Sequence, residues 1–148
     1  MDSASGIFLV CLGFGSPPEL DRFPHVHINS MNNDRSLSMV YSAADVFVLP
    51  SLADTLPNTM LESLACGTPV VAFATGGIPD AVRAGVTGLL AKTGDSAGLR
   101  SAILELLSNN SKRAELSANS RRIALAEYSL ELQTSRYATL YSTLLHQT

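Results

Sequence analysis

The sequence predicts an α/β fold: a Rossmann-like parallel sheet with crossover helices, followed by a helical C-terminal tail. Three observations carry this. Strand-sized apolar runs alternate with short helical segments as far as Ala91, the pattern of βαβ units and so of a parallel sheet. From about residue 96 to residue 146 the apolar residues recur at helical spacing instead. The chain has 148 residues, 46% of them hydrophobic and 16% charged. That suits one domain, 1–148, with a core of its own.

Each element has its own signal. Ile7 to Leu12 is a continuous apolar run and predicts a strand buried on both faces. It ends in the turn Gly13-Phe14-Gly15, which Ser16-Pro17-Pro18 extends as a turn or a short helix. Val26 to Asn29 is a second, weaker strand, and Asp34 is placed to N-cap a helix through Ser42. Asp45 to Leu49 is a strong strand, ended by Pro50-Ser51. A loop from Leu52 to Pro57 feeds a helix from Asn58 to Ala65, which Cys66-Gly67 stops. Val70 to Phe73 is a strand, Thr75-Gly76-Gly77 a sharp turn, and Ile78 to Ala84 a short helix with Pro79 near its start. Gly88 to Ala91 completes the strands. Asp95 or Ser96 caps the next helix, which carries Leu99, Ile103, Leu106 and Leu107 on one stripe. Helices from Ser111 to Glu127 and Ser129 to His146 follow. Leu132, Tyr137, Leu140, Tyr141, Leu144 and Leu145 mark the apolar side of the last one.

Composition narrows the function. A net charge of −3 disfavours a nucleic-acid partner held through its phosphates. No apolar run reaches the length of a membrane span, and the first residues lack the basic start of a signal peptide. Cys11 and Cys66 sit in apolar segments and read as reduced core residues of a cytoplasmic protein. His25 and His27 alternate on a short strand without further ligands nearby, so no metal site is expected. Only Arg22 and Arg35 precede residue 83 among the basic residues. A phosphate held by the front half must therefore rest mainly on backbone amides. Lys112, Arg113, Arg121 and Arg122 fit a solvated helix face better than a contact with acidic lipid headgroups, since Glu115 and Glu127 dilute their charge.

In an open parallel sheet, ligands sit beyond the carboxyl ends of the strands. That draws attention to the loop Pro50 to Pro57 and the helix after it. Asp54 lies on the loop and Glu62 about one turn into the helix, seven residues apart in between. The amides of Asn58, Thr59 and Met60 stand at the helix start, where they are suited to an anion such as a diphosphate. A nearby carboxylate can accept hydroxyls of a ribose or a hexose. Anion site plus hydroxyl acceptors suits a nucleotide-sugar. A structural account competes: Thr59-Met60-Leu61-Glu62 matches a capping box, and Asp54 can stabilise a turn.

Taken together, Pro50-Ser51, Asp54-x7-Glu62, the run Glu62 to Ala72 and Gly76-Gly77-Ile78-Pro79-Asp80 resemble the C-terminal domain of retaining glycosyltransferases of the GT-B fold, the glycosyl transferases group 1 family. The resemblance extends over roughly residues 6 to 146 and includes Gly13-Phe14-Gly15-Ser16-Pro17, Met39 to Ser51 and Val86 to Leu90. It implies half of a GT-B fold and a donor-binding role. The family's paired carboxylates fall on Asp54 and Glu62, the candidate catalytic pair. Glu62 would hold the ribose hydroxyls and Asp54 the donor sugar. The nucleotide-sugar contacts implied are Asn29, near the base, with Ser51, Leu56, Pro57, Asn58, Thr59 and Glu62. Pro57 has no amide to give, so Asn58 and Thr59 inherit the diphosphate. Asp54 stands where the family usually has Glu, with the same charge and one methylene less.

The resemblance also implies what to look for elsewhere. Family members carry an Arg and a Lys on the first strand–helix unit of this domain, and an N-terminal acceptor domain. This chain starts at what looks like the second strand, and no Lys precedes Lys92. An expressed fragment, a split gene and a degenerate paralogue all fit. The leading expectation is the donor half of a hexosyltransferase using a nucleoside-diphosphate sugar such as a UDP- or GDP-sugar, with no cofactor. It would be inactive as an isolated chain and cytoplasmic, with peripheral membrane contact in a parent protein. The alternatives are a non-catalytic nucleotide-binding or interaction module and a nucleotide-sugar 2-epimerase relative. A receiver-like signalling domain ranks lower, because the early acidic pair is missing.

Overall fold

The structure is a computed structural model that describes residues 6–13, 15 and 18–146. Phe14, Ser16 and Pro17 of the first glycine turn lie outside the described residues. The chain divides into two compact units, Met1–Leu37 and Ser38–Thr148.

The first unit holds two parallel strands, β1 (Leu9–Leu12) and β2 (His25–Ile28), paired in register from Leu9 with His25 to Leu12 with Ile28. Between them lies a five-residue 3-10 turn, Pro18–Arg22. β1 is not buried on both faces as its apolar run predicts. Its residues alternate between half-buried and exposed, and Phe8, Val10, Leu12 and Val26 are all exposed. The alternation of side chains along a strand leaves one row without cover. Helix α1 (Asp34–Ala43) starts in this unit. Its cap is Asn33 rather than Asp34: the Asn33 Oδ1 accepts the Ser36 amide at 3.1 Å.

The second unit is a three-layer arrangement built on strands β3 (Phe47–Leu49), β4 (Val70–Phe73) and β5 (Gly88–Ala91), all parallel, with β4 in the middle. Every residue of β4 is buried. Val70 and Ala72 face a core made with Met60, Leu64, Ile78 and Val82. Val71 and Phe73 face the other way, toward Leu99, Ala102, Leu106 and Leu116. Helices α2 (Asn58–Ala65) and α3 (Ile78–Ala81) contribute to the first core and α4 (Ser96–Ser108) to the second, while α5 (Asn110–Glu127) feeds both through Ala124 and Leu116.

Local chemistry accounts for the element ends. Gly67 takes a φ of +79° just past α2, its amide bonds the Leu64 carbonyl, and the Thr68 amide bonds the Ser63 carbonyl. This is the left-handed helix stop that Cys66-Gly67 predicts. Of the two candidate caps of α4, Asp95 is the one used, accepting the Gly98 amide at 2.9 Å. α3 is shorter than predicted, because Val82 leaves the helix with ψ 88°. The buried Thr87 hydroxyl takes over there: it donates to the Ala81 carbonyl at 2.7 Å and accepts the Arg83 amide at 2.8 Å. Helix α6 (Leu130–Leu145) starts from the cap Ser129, yet no residue of it is buried. Its apolar stripe, Tyr137, Leu140, Tyr141, Leu144 and Leu145, is exposed. Both cysteines are free thiols but only half-buried, less enclosed than core residues. No described helix is long and apolar enough to cross a membrane.

Candidate functional site

The site is built where β3 and β4 of the second unit end. Pro57 closes the loop after β3 and is the N-cap of α2, in an extended conformation and with no side chain capping the helix. Asn58 and Thr59 are thus the first and second helical residues, whose amides have no carbonyl a turn behind them. The Met60 amide is different: it donates to the Pro57 carbonyl at 3.2 Å. So two of the three expected helix-start amides remain for an anion, and Met60 is removed from that set. The capping box also fails, because Thr59 lies inside the helix and does not flank it.

With no capping role, Glu62 is committed elsewhere. The residue is exposed on α2, and its Oε2 accepts a hydrogen bond from the Tyr41 hydroxyl at 3.1 Å. Tyr41 is 4% exposed, and its ring meets Phe47 edge-on with centroids 5.5 Å apart. Its backbone carbonyl accepts the Thr68 hydroxyl at 2.6 Å. Burial first, and then the charge of Glu62, push the Tyr41 hydroxyl well above the ordinary tyrosine range, so it stays a donor. Among the described residues nothing bonds the other oxygen, Oε1.

Asp54 is positioned by backbone instead. The Gly77 amide donates to the Thr55 carbonyl at 2.6 Å, and the Thr75 hydroxyl to the Leu52 carbonyl at 3.2 Å. A Cβ on Gly76 would stand 1.7 Å from the Asp54 carbonyl oxygen, and Gly76 itself has a φ of +52°. Only glycine permits this approach. The loop carrying Asp54 is therefore clamped onto the turn after β4. Among the described residues no amide donates to the Asp54 carboxylate, so the turn-stabilising account of its side chain lacks its bond.

A groove of about 620 Å³ runs beside this helix, lined on one side by Leu56, Asn58, Leu61 and Glu62 and on the other by Arg136 and Tyr137 of α6. It gathers three of the sequence-derived site residues: Leu56, Asn58 and Glu62. Ser51, Asp54, Pro57 and Thr59 lie outside its lining. Ser51 and Asp54 are half-buried, Pro57 is buried and Thr59 exposed. Asn29 follows β2 in the first unit and is exposed. At the groove's edge Arg83 grips Glu127 with both guanidinium ends, Nη1 donating to Oε1 at 2.9 Å. The pair holds Glu127 below the usual carboxylate range. The four basic residues weighed for lipid contact all bond within the chain: Lys112 to Glu105, Arg113 to the Leu106 carbonyl, Arg121 to the Ala65 carbonyl and Arg122 to Asn119. Buried Ser63 donates to the Thr68 carbonyl and is a packing residue.

Sequence reasoning named Glu62 but missed Tyr41 as its partner. The available signal was a lone tyrosine on a helix face that must be buried, since a buried phenol needs an acceptor.

A family model described as "Glycosyl transferases group 1" matches residues 3–109. The chain belongs to that family. D-inositol 3-phosphate glycosyltransferase of Geodermatophilus obscurus is 42% identical over 112 residues, 76% of this group 1 chain and 23% of that protein. Sucrose-phosphate synthase of Thermosynechococcus elongatus has the same fold over 94% of this chain and 39% of its own, with TM-score 0.83 and 27% identity. HepE of Anabaena, solved in complex with UDP, matches 83% of this chain and 33% of its own, with TM-score 0.73 and 23% identity. Across eight curated relatives that it matches, this group 1 chain spans 13% to 29% of their length.

Proposed function

We propose that this chain is the donor-binding part of a retaining glycosyltransferase, moving a hexose from a nucleoside-diphosphate sugar such as a UDP- or GDP-sugar to an acceptor. The observation that carries the reading is the pairing, on one helix, of two amides without intrahelical acceptors and a carboxylate anchored by one oxygen. Family membership supplies the reaction class, and HepE, of like fold, holds UDP.

In this reading the Asn58 and Thr59 amides face the diphosphate, and the positive end of the α2 dipole favours the charge that grows on it as the glycosidic bond breaks. Glu62 accepts ribose hydroxyls, and Asp54, on its clamped loop, accepts hydroxyls of the donor sugar. Ser51, Leu56 and Pro57 border the sugar and diphosphate. Fixing the donor at both ends lowers the entropy cost of reaching the reactive geometry. The donor is a substrate, and the reading calls for no cofactor. The acceptor is held by residues outside this chain, and the reaction is cytoplasmic.

Calorimetry with UDP, GDP and ADP and their sugars tests this. One nucleotide series should bind weakly, Glu62→Ala should abolish that binding, and the chain alone should transfer no sugar. A folded chain that binds none of them supports an interaction module instead. Epimerised nucleotide-sugar in the mixture supports an epimerase.

A further inference from the structure

Among the contacts around α2, the one between Tyr41 and Glu62 joins residues 21 positions apart and serves no packing need of Glu62, which is exposed. A carboxylate on an exposed helix face samples several rotamers, and ordering it on ligand binding costs side-chain entropy. Here that ordering is made in advance. Tyr41 is itself immobilised by burial, by the edge-on contact with Phe47 and by the Thr68 hydroxyl on its carbonyl. Its hydroxyl, a donor toward a carboxylate acceptor, fixes Oε2, and among the described residues nothing bonds Oε1.

We propose that Tyr41 is a positioning residue of the donor site: by holding Oε2 of Glu62 it presents Oε1 to a vicinal diol, the paired hydroxyls of the nucleotide's ribose. The proposal rests on the reading of Glu62 as the ribose acceptor. Tyr41 touches no ligand itself; it acts through Glu62. The Phe47 contact and the Thr68 bond to its backbone carbonyl do not involve the hydroxyl, so Tyr41→Phe removes the Glu62 bond and leaves the ring in place.

The test measures binding of UDP, with GDP and ADP in parallel, to the full chain and to Tyr41→Phe, Glu62→Ala and the double variant. Each is repeated with the 2′,3′-dideoxy form of the diphosphate that binds. Glu62→Ala should remove most of the affinity. Tyr41→Phe should weaken the ribonucleotide by about three- to ten-fold, the loss expected for one hydrogen bond. It should leave the dideoxy nucleotide unchanged and add nothing in the Glu62→Ala background. Equal weakening of both nucleotides by Tyr41→Phe overturns the proposal in favour of a packing role. So does wild-type affinity in Tyr41→Phe when Glu62→Ala has lost its own, and the donor reading then survives. Wild-type affinity in Glu62→Ala, or no saturable binding by the folded wild-type chain, overturns the donor reading and this proposal together.

Discussion

β1 and β4 are near-twins as sequence and opposites as structure. Leu9-Val10-Cys11-Leu12 and Val70-Val71-Ala72-Phe73 are both uninterrupted apolar runs. All of β4 is buried, whereas Val10 and Leu12 of β1 are 46% and 42% exposed. The difference lies in what surrounds each strand. β4 has a strand on either side and a helical layer on each face. Among the described residues β1 pairs with a single strand, and the described link between them is a short 3-10 turn. An apolar run records that a strand tolerates burial on both faces; the neighbours decide whether it receives it.

That contrast is open to direct tests. The largest effect is expected from truncating the β4 core. Leu64→Ala removes a fully buried side chain and should cost about 2–5 kcal/mol in denaturant unfolding, whereas Val10→Ala should cost under about 1 kcal/mol. Equal losses would show that β1 is as enclosed as β4. Next comes the clamp at the end of β4. Gly76→Ala drives a Cβ into the Asp54 carbonyl and should cost about 1–3 kcal/mol. It should also weaken nucleotide-sugar binding more than nucleotide binding, because it displaces the loop under Asp54.

A smaller effect is confined to alkaline pH. The raised Tyr41 value means that the unfolded chain loses this proton first. The contribution is complete below about pH 10 and declines above it, by at most about 1.4 kcal/mol per pH unit. Tyr41→Phe should flatten that part of the pH–stability curve, and an unchanged slope would show that the phenol is not sequestered. The smallest effect belongs to the exposed Arg83–Glu127 pair. Glu127 is held below its usual range, so its contribution is present above that range and lost as acid protonates it. Glu127→Gln should slightly lower stability near neutrality, where the contribution is present, and flatten its decline below the usual carboxylate range.

The chain's local grammar was legible in its residues. Cys66-Gly67 marked the stop of α2 because a left-handed position favours glycine. The run Asn58 to Ala65 gave α2 its bounds, and the alternation of runs and helices gave parallel pairing throughout the described strands. Of the candidate site, Asp54, Glu62 and the helix-start amides were legible as residue types in a loop between a strong strand and a helix. Their commitments were not. Thr59 and Glu62 have the spacing of a capping box, and only the start of the helix at Asn58 shows that no such box forms. Met60 has the same amide as its neighbours, and only the Pro57 carbonyl distinguishes it.

By itself the sequence determined the class of fold and the family, and singled out the loop of the proposed donor site, because periodicity, caps and motif spacing are properties of neighbours along the chain. The tertiary structure decided which faces are enclosed, that Gly76 lies against the Asp54 backbone, and that Tyr41 anchors Glu62. Those depend on groups about 20 residues apart meeting within hydrogen-bond distance, and no local signal encodes which distant partner a buried hydroxyl or a bare glycine will find.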